Sequence, residues 1–206
     1  MGRGARTLHV IAALAAWGAL GLQLALSLAA APEAGQSVAE AIWRFLGFFT
    51  VLTNLFVAIV ATAAVLAPRQ ALASARVRFA ALVAILLVGV VYSLALRHIW
   101  NPQGWQAVAD HALHDATPIL YLLAWLAGRH GALGWRDAPR ALIFPAAYLA
   151  YALARGAVEG WYAYYFLNPA QQGWVQFLIS VAAILGGVVT TAWLVIAADK
   201  FLARMR

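Results

Sequence analysis

The sequence predicts an all-α fold: a polytopic integral membrane protein built as a compact bundle of six transmembrane helices, with both termini cytoplasmic. Three observations predict it. The 206-residue chain is 65% hydrophobic and only 10% charged, a balance that belongs to membrane proteins. Its apolar stretches repeatedly reach the length of about 20 residues that carries a helix across a bilayer. The basic residues also divide unevenly between the connections. Arg3, Arg6, Arg69, Arg76, Arg78, Arg129, Arg136, Arg140, Lys200, Arg204 and Arg206 fall on one side, and Arg44, Arg97 and Arg155 on the other. This split of eleven against three assigns the richer side to the cytoplasm under the positive-inside rule.

The first span, 8 to 30, follows Arg3 and Arg6 and ends in Ala29, Ala30 and Ala31, which imitates a secretory signal with its cleavage site. Its roughly 22 apolar residues exceed the 7 to 15 of a signal-peptide core, so it is read as a retained span. The second, 42 to 66, follows "APEAGQS" and contains "FFTVLTNLF"; the third, 78 to 98, follows "APRQALASAR". The fourth, 106 to 128, follows "NPQG", the fifth, 140 to 163, follows "GRHGALGWRDAPR", and the sixth, 174 to 198, follows "NPAQQG". Each connector carries Pro, Gly or Asn breakers. Their shortness makes consecutive helices antiparallel, and the small residues of "AALVA" and "LGGVVTTAW" allow close approach. The whole of 1–206 reads as one transmembrane domain without internal repeats.

Composition also excludes chemistry. With no cysteine there is no disulfide, thiol nucleophile, iron-sulfur cluster or thiolate metal site. The net charge of +7 comes from short basic groups beside apolar segments, as topology places them, so no nucleic acid partner is expected.

Arg44, Thr50, Arg97, His98, His111, His114, Asp115, Arg155 and Glu159 all fall in the outer half of the predicted bundle, on four different helices. Ionisable groups in that layer are costly against lipid and should face one another or a wet cavity. A polar pocket opening to the non-cytoplasmic side or the outer leaflet follows. In "VADHALHDATPILYLLAW", Asp110, His114, Thr117 and Tyr121 form one helical stripe, with His111 and Asp115 on the next. An imidazole at His114 suits a general base, oriented by Asp110 through its other nitrogen. The alternative, Asp110 as a helix cap and the histidines in interfacial water, stays open.

Thr50 becomes a nucleophile only if a histidine takes its proton. Membrane threonines more often bond their own helix's carbonyls or hold helices together, and Thr53 and Asn54 invite the same description. Spacing alone does not elect Thr50. Zinc is a competing use of His111 and His114 with Asp110, Asp115 or His98, but the histidines stand three apart and lack the glutamate of an HExxH frame. Haem has only one obvious buried axial histidine, and no cofactor is expected. Arg155 and Glu159, four apart, either pair with each other, or Arg97 or Arg155 meets an anionic head such as a carboxylate. Trp161, Tyr162, Tyr164, Tyr165 and Phe166 read as an interfacial aromatic belt, some of whose rings line the pocket mouth. His9, His130 and Trp135 lie at the cytoplasmic side and receive no catalytic role.

Three stretches resemble a known family. "FFTVLTNL", "DHALHD" and "YLAYALARGAVEGWYAYYFL" are similar to segments of the androgen-induced and androgen-dependent multi-span proteins that hydrolyse fatty acid esters of hydroxy fatty acids, and more closely to their bacterial six-span relatives. The likeness extends over most of the chain from the second span onward. It implies a threonine hydrolase in which Thr50 attacks the ester carbonyl, His114 takes its proton and serves the leaving alcohol, and water releases the acyl-enzyme. In the fifth span it matches at Tyr148, Gly160, Tyr164, Phe166 and Leu167. The animal proteins carry an Asn three residues after the threonine, where this chain has Thr53 with Asn54 next, and they have no counterpart of Arg155 and Glu159. A bacterial inner membrane is the implied location.

The leading expectation is therefore a lipid-ester hydrolase with a dyad of Thr50 and His114. Thr53, Asn54, Arg97, His111, Asp110, Asp115, Arg155, Glu159 and Tyr164 bind substrate or support the dyad, and Asn54 or Arg97 serves as oxyanion donor. The expected partner is a membrane lipid or fatty-acyl ester substrate, and no protein partner is read from the sequence. A non-enzymatic lipid or small-solute binder or carrier using the same pocket, and a His/Asp metal-dependent membrane hydrolase, remain the alternatives.

Overall fold

The computed structural model describes residues 2–205, and among them there are helices and no β-strand. Helix α1, Arg3–Ala30, has 28 residues and so spans about 42 Å, more than a hydrocarbon core. Helix α2, Val38–Phe45, starts at a capping box: Ser37 Oγ accepts from Glu40 N–H at 3.3 Å while Glu40 Oε2 accepts from Ser37 N–H at 2.7 Å.

The chain then breaks before α3, Phe49–Leu66. This corrects the continuous second span expected over 42–66. Two tyrosines of the later helix α7, Arg140–Glu159, take carbonyls at the break: Tyr148 donates to Gly47 O at 2.9 Å and Tyr151 to Leu46 O at 3.3 Å. Gly47 itself lies against the Arg155 and Trp161 side chains, where an added Cβ would come within 2.6 Å of both. Thr50 is consequently the second residue of a helix rather than a residue inside one.

Helix α4, Ala75–Val91, begins at the Ser74 cap and continues into a π turn, Tyr92–Leu96, closed by Arg97 N–H to Tyr92 O at 2.8 Å. The expected unbroken span 106–128 is a rod in three parts: α5, Trp105–His111; a π turn, Ala112–Ala116; and α6, Thr117–Leu126. Helix α7 stops at Gly160, whose φ of 68° places it in the left-handed region that glycine enters without penalty. The fifth span thus ends at Glu159, short of the expected 163. A short turn, α8, Pro169–Gln172, leads into α9, Trp174–Arg204.

Helix α4 lies at the centre, packed against α3, α6, α7 and α9, with Phe79, Leu82, Val83 and Ile85 fully buried. Helix α1 lies against α3 and against the rod Trp105–Leu126. The first turns of α1 and the last turns of α9 lie at one end of the bundle. There His9 of α1 meets Tyr121 of α6, Arg76 pairs with Asp137, and Asp199 of α9 accepts from Gly131 and Leu133 N–H. Helix α2, both π turns and residues 160–168 form the opposite end.

Five helices are long and apolar enough to cross a membrane: Arg3–Ala30, Phe49–Leu66, Ala75–Leu96, Trp135–Glu159 and Trp174–Arg204. They turn large apolar side chains such as Leu14, Leu66, Ile143 and Leu194 outward, the arrangement of a polytopic all-α membrane protein. The rod Trp105–Leu126 is not one of the five, because its first half carries Asp110, His111, His114 and Asp115.

Gly47→Ala is expected to lower stability by about 1–3 kcal/mol, because the aromatic wall at Trp161 must shift. Gly21→Ala in α1, where a Cβ meets nothing within 4 Å, should leave stability unchanged or raise it. Thermal unfolding of the two purified variants in detergent checks both.

Candidate active site

Thr50 and His114, sixty-four positions apart in sequence, meet at the end of the bundle that holds α2 and the two π turns. Thr50 Oγ1 lies 3.2 Å from His114 Nε2. The other ring nitrogen, Nδ1, lies 2.9 Å from the Asp110 backbone carbonyl and 3.3 Å from Asp110 Oδ1. A carbonyl oxygen can only accept, so Nδ1 carries the hydrogen. In a neutral imidazole that leaves the Nε2 lone pair facing Thr50, whose hydroxyl donates to it. Tyr164 completes the chain: its hydroxyl accepts from Thr50 N–H at 3.3 Å and stands 3.4 Å from Thr50 Oγ1. With the Thr50 hydrogen committed to His114, Tyr164 O–H is the donor to Thr50 Oγ1.

The backbone explains why the imidazole sits there. Pro118 has no N–H to offer the His114 carbonyl four residues earlier, and the ladder slips to π spacing just before it. Thr117 Oγ1 donates to Ala112 O, five residues back, at 2.9 Å. The freed His114 carbonyl approaches Gly89 of α4, where a Cβ would stand 3.3 Å from it. Beside this glycine, Tyr92 stacks on the His114 ring with centroids 3.9 Å apart and planes inclined by 14°. Its hydroxyl donates to Asp110 Oδ2, so Tyr92 fixes both the ring and the carboxylate beside it. The two π turns thus face each other across the site.

Asn54 ties the helix of Thr50 to the rod that carries His114. Its Nδ2 donates to Thr50 O at 2.9 Å and to Leu113 O at 3.2 Å. Both amide hydrogens are therefore engaged with backbone carbonyls, and the group aimed at Thr50 Oγ1 is the Tyr164 hydroxyl rather than the Asn54 amide. Thr53 is fully buried next to it, and its Oγ1 makes no hydrogen bond.

The remaining predicted residues form two outlying groups. Arg97 pairs with Asp115 and stacks over Tyr92 at 4.7 Å, and Asp115 also takes His111 Nδ1 at 2.8 Å. This cluster stands at the exposed rim, so the Arg97 guanidinium is held by Asp115. Arg155 and Glu159 pair at 2.9 Å, and Arg155 Nη1 donates to Trp43 O at 2.8 Å. The guanidinium also faces the rings of Trp43 and Trp161, at 4.4 and 4.8 Å. That group clips α2 to the end of α7 outside the cavity wall. Tyr121, seven residues beyond His114 along the rod, meets His9 of α1 with ring centroids 6.1 Å apart. Among the described residues no three His, Cys, Asp or Glu side chains converge as a metal site; His111 turns to Asp115, and His114 to Thr50.

A chamber of about 550 Å³ opens onto Thr50, His114, Asp110, Tyr92 and Tyr164. Gln23, Ser27, Arg44 and Gln106 also line it. Gln106 Nε2 donates to Gln23 Oε1 at 2.8 Å, and Gln23 Nε2 to Ser27 Oγ at 3.4 Å. A narrower cleft of about 60 Å³, walled by α4, α7 and α9, also includes Thr50 and Tyr164. Sequence reading missed Tyr92, Gln23, Ser27 and Gln106. The signals were present: Gln23 and Ser27 stand four apart in an apolar helix, and Tyr92 interrupts an apolar run five residues before Arg97.

Asn54→Ala removes both tethers and leaves the Leu113 carbonyl without its partner, which is expected to lower stability by about 1–3 kcal/mol. Thr53→Val replaces a buried hydroxyl that makes no hydrogen bond, and should hold or raise stability. Paired thermal unfolding measurements in detergent distinguish the two effects.

In comparisons with known proteins, the chain matches no family model, no curated protein and no solved structure.

Proposed function

We propose that the protein is an intramembrane threonine hydrolase that cleaves lipid esters, with Thr50 as nucleophile and His114 as general base and acid. The observation that carries this reading is the 3.2 Å contact between Thr50 Oγ1 and the lone-pair nitrogen of His114, with the other nitrogen held on Asp110. A threonine hydroxyl is a poor attacking group until a base takes its proton, and this geometry supplies the base at hydrogen-bond reach.

The reaction proceeds in two halves. In the first, Thr50 Oγ1 bonds to the ester carbonyl carbon as its proton passes to His114 Nε2. The carbon–alkoxy bond breaks, and the leaving oxygen receives that proton from His114. In the second, water attacks the acyl-threonine, gives a proton to His114, and Thr50 Oγ1 leaves with that proton restored. Tyr164 O–H stands 3.4 Å from Thr50 Oγ1 and the Thr50 N–H lies 3.3 Å from the same hydroxyl, so these two groups beside the attacking oxygen are the oxyanion donors of this reading.

In the membrane this reading places six spans, the rod Trp105–Leu126 being the sixth, with both termini cytoplasmic and the site in the outer half. Burying the polar first half of the rod against α1 and α4 is what lets it cross lipid. Fatty acid esters of hydroxy fatty acids, or similar esters, are the substrates that the resemblance of "FFTVLTNL" and "DHALHD" points to. A bacterial inner membrane is the location it implies.

Purified protein in detergent should hydrolyse long-chain lipid esters, and Thr50→Ala and His114→Ala should each lower kcat/KM by about 10²–10⁴-fold. Thr50→Ser, which keeps a hydroxyl, should retain part of the rate. Variants that hydrolyse esters as fast as the unaltered protein would contradict the proposal.

A further inference from the structure

The chamber and the cleft meet at Thr50 but are otherwise walled by different helices, and they are chemically unlike. Both include Thr50, Tyr92, Leu96 and Tyr164. Asp110 and His114 line only the chamber. The chamber wall also carries the hydrogen-bonded amides of Gln23 and Gln106 together with Arg44. Away from Thr50 and the tyrosine hydroxyls the cleft is aliphatic and aromatic, with Leu87, Val91, Pro145, Leu149, Ile184 and Leu185 along it. The volumes differ in the same sense, about 60 Å³ against about 550 Å³.

We propose that these two spaces divide the ester: the acyl chain lies in the cleft between α4, α7 and α9, while the alcohol moiety, and afterwards the hydrolytic water, occupy the chamber. The inference rests on the hydrolase reading above and deepens it. Its first ground is proton transfer. His114 Nε2 gives its proton to the departing alcohol oxygen and then takes one from water, so both oxygens approach from the side that His114 lines. Between those two transfers the acyl carbon is bonded to Thr50, and the chain it carries extends to the side that His114 leaves free.

The second ground is solvation. An unbranched hydrocarbon chain has no hydrogen bonds to lose in the cleft, where burial of each methylene contributes about 0.8 kcal/mol. An alcohol moiety with further oxygen atoms finds amide and guanidinium donors in the chamber at Gln23, Gln106 and Arg44. From Leu96 to Leu87 the cleft runs about 13 Å along α4. Leu149, Ile184 and Leu185 are half-buried, so a longer chain can leave between the helices into lipid. The substrate class is thus an ester of a straight-chain fatty acid with a bulky, oxygen-bearing alcohol. Leu149 and Ile184 set acyl-chain preference, and Gln23 and Gln106 set alcohol preference.

Two ester series test the division on full-length protein in detergent. One keeps p-nitrophenol as leaving group and varies the acyl chain from two to sixteen carbons. The other keeps a decanoyl chain and varies the alcohol from methanol to glycerol to a hydroxy acid. Ile184→Trp, and separately the milder Leu149→Phe, should lower the ratio of long-chain to short-chain kcat/KM at least tenfold. The alcohol ranking should keep its order in both. Gln106→Leu and Gln23→Leu should reorder the alcohol series and leave the acyl-length ratio within twofold.

Size-exclusion profiles and thermal unfolding establish which variants are folded, and Leu149→Phe carries the test if Ile184→Trp does not fold. Active protein with the two effects exchanged, or with an acyl-length profile indifferent to both cleft variants, overturns the division and leaves the hydrolase reading standing. Absence of hydrolysis of every ester by the unaltered protein overturns both.

Discussion

His114 has two ring nitrogens, and the bundle fixes one on Asp110 so that the other is presented to Thr50. Each feature around it serves that orientation. Pro118 withholds an N–H and the helix ladder slips. Gly89 leaves room for the displaced carbonyl. Tyr92 lies flat on the ring and bonds the carboxylate of Asp110. Without such a hold an imidazole rotates and exchanges tautomers, and the proton-accepting nitrogen faces the nucleophile only part of the time. Two π turns on facing helices are the backbone's contribution, in keeping with the frequent appearance of such turns at functional sites.

Thr50 is positioned by an interruption of comparable origin. The break around Gly47 separates α2 from α3, which starts one residue before the threonine. Its oxygen therefore sits in the first turn of a helix, at the positive end of the helix dipole. In the proposed reaction that field favours an alkoxide and the oxyanion that follows it. A threonine in the middle of the same helix would have bonded a carbonyl one turn back instead, as Thr62 does to Ala58 O at 2.7 Å. The Arg155 and Glu159 clip, though remote from the cavity, matters because it holds the segment that makes the break.

The helical architecture was legible in the sequence because crossing a bilayer demands long apolar runs, and five such helices are present. Helix ends were less legible. The second span breaks because Tyr148 and Tyr151 capture carbonyls from another helix, an event with no local signature. The fourth departs from regular helix at a place the sequence did mark, with Pro118 four residues after His114. At the site, Thr50, His114 and Asp110 stood out as polar groups in an apolar layer, and Tyr164 did so as one ring in an aromatic belt. Tyr92 did not, since a lone tyrosine in an apolar run reads as core until the ring it covers is known. Asn54 and Arg97, expected as oxyanion donors, hydrogen-bond the backbone and Asp115 respectively, choices set by three-dimensional proximity that spacing does not encode.

A nucleophilic threonine leaves a covalent mark, so the most direct measurement is intact-protein and peptide mass spectrometry after reaction with an alkyl fluorophosphonate. A Thr50–His114 dyad predicts one adduct per chain on the peptide containing Thr50, absent from Thr50→Ala and strongly reduced in His114→Ala. An adduct on another residue, or ester hydrolysis by protein whose Thr50 stays unmodified while the activity is blocked, would contradict it.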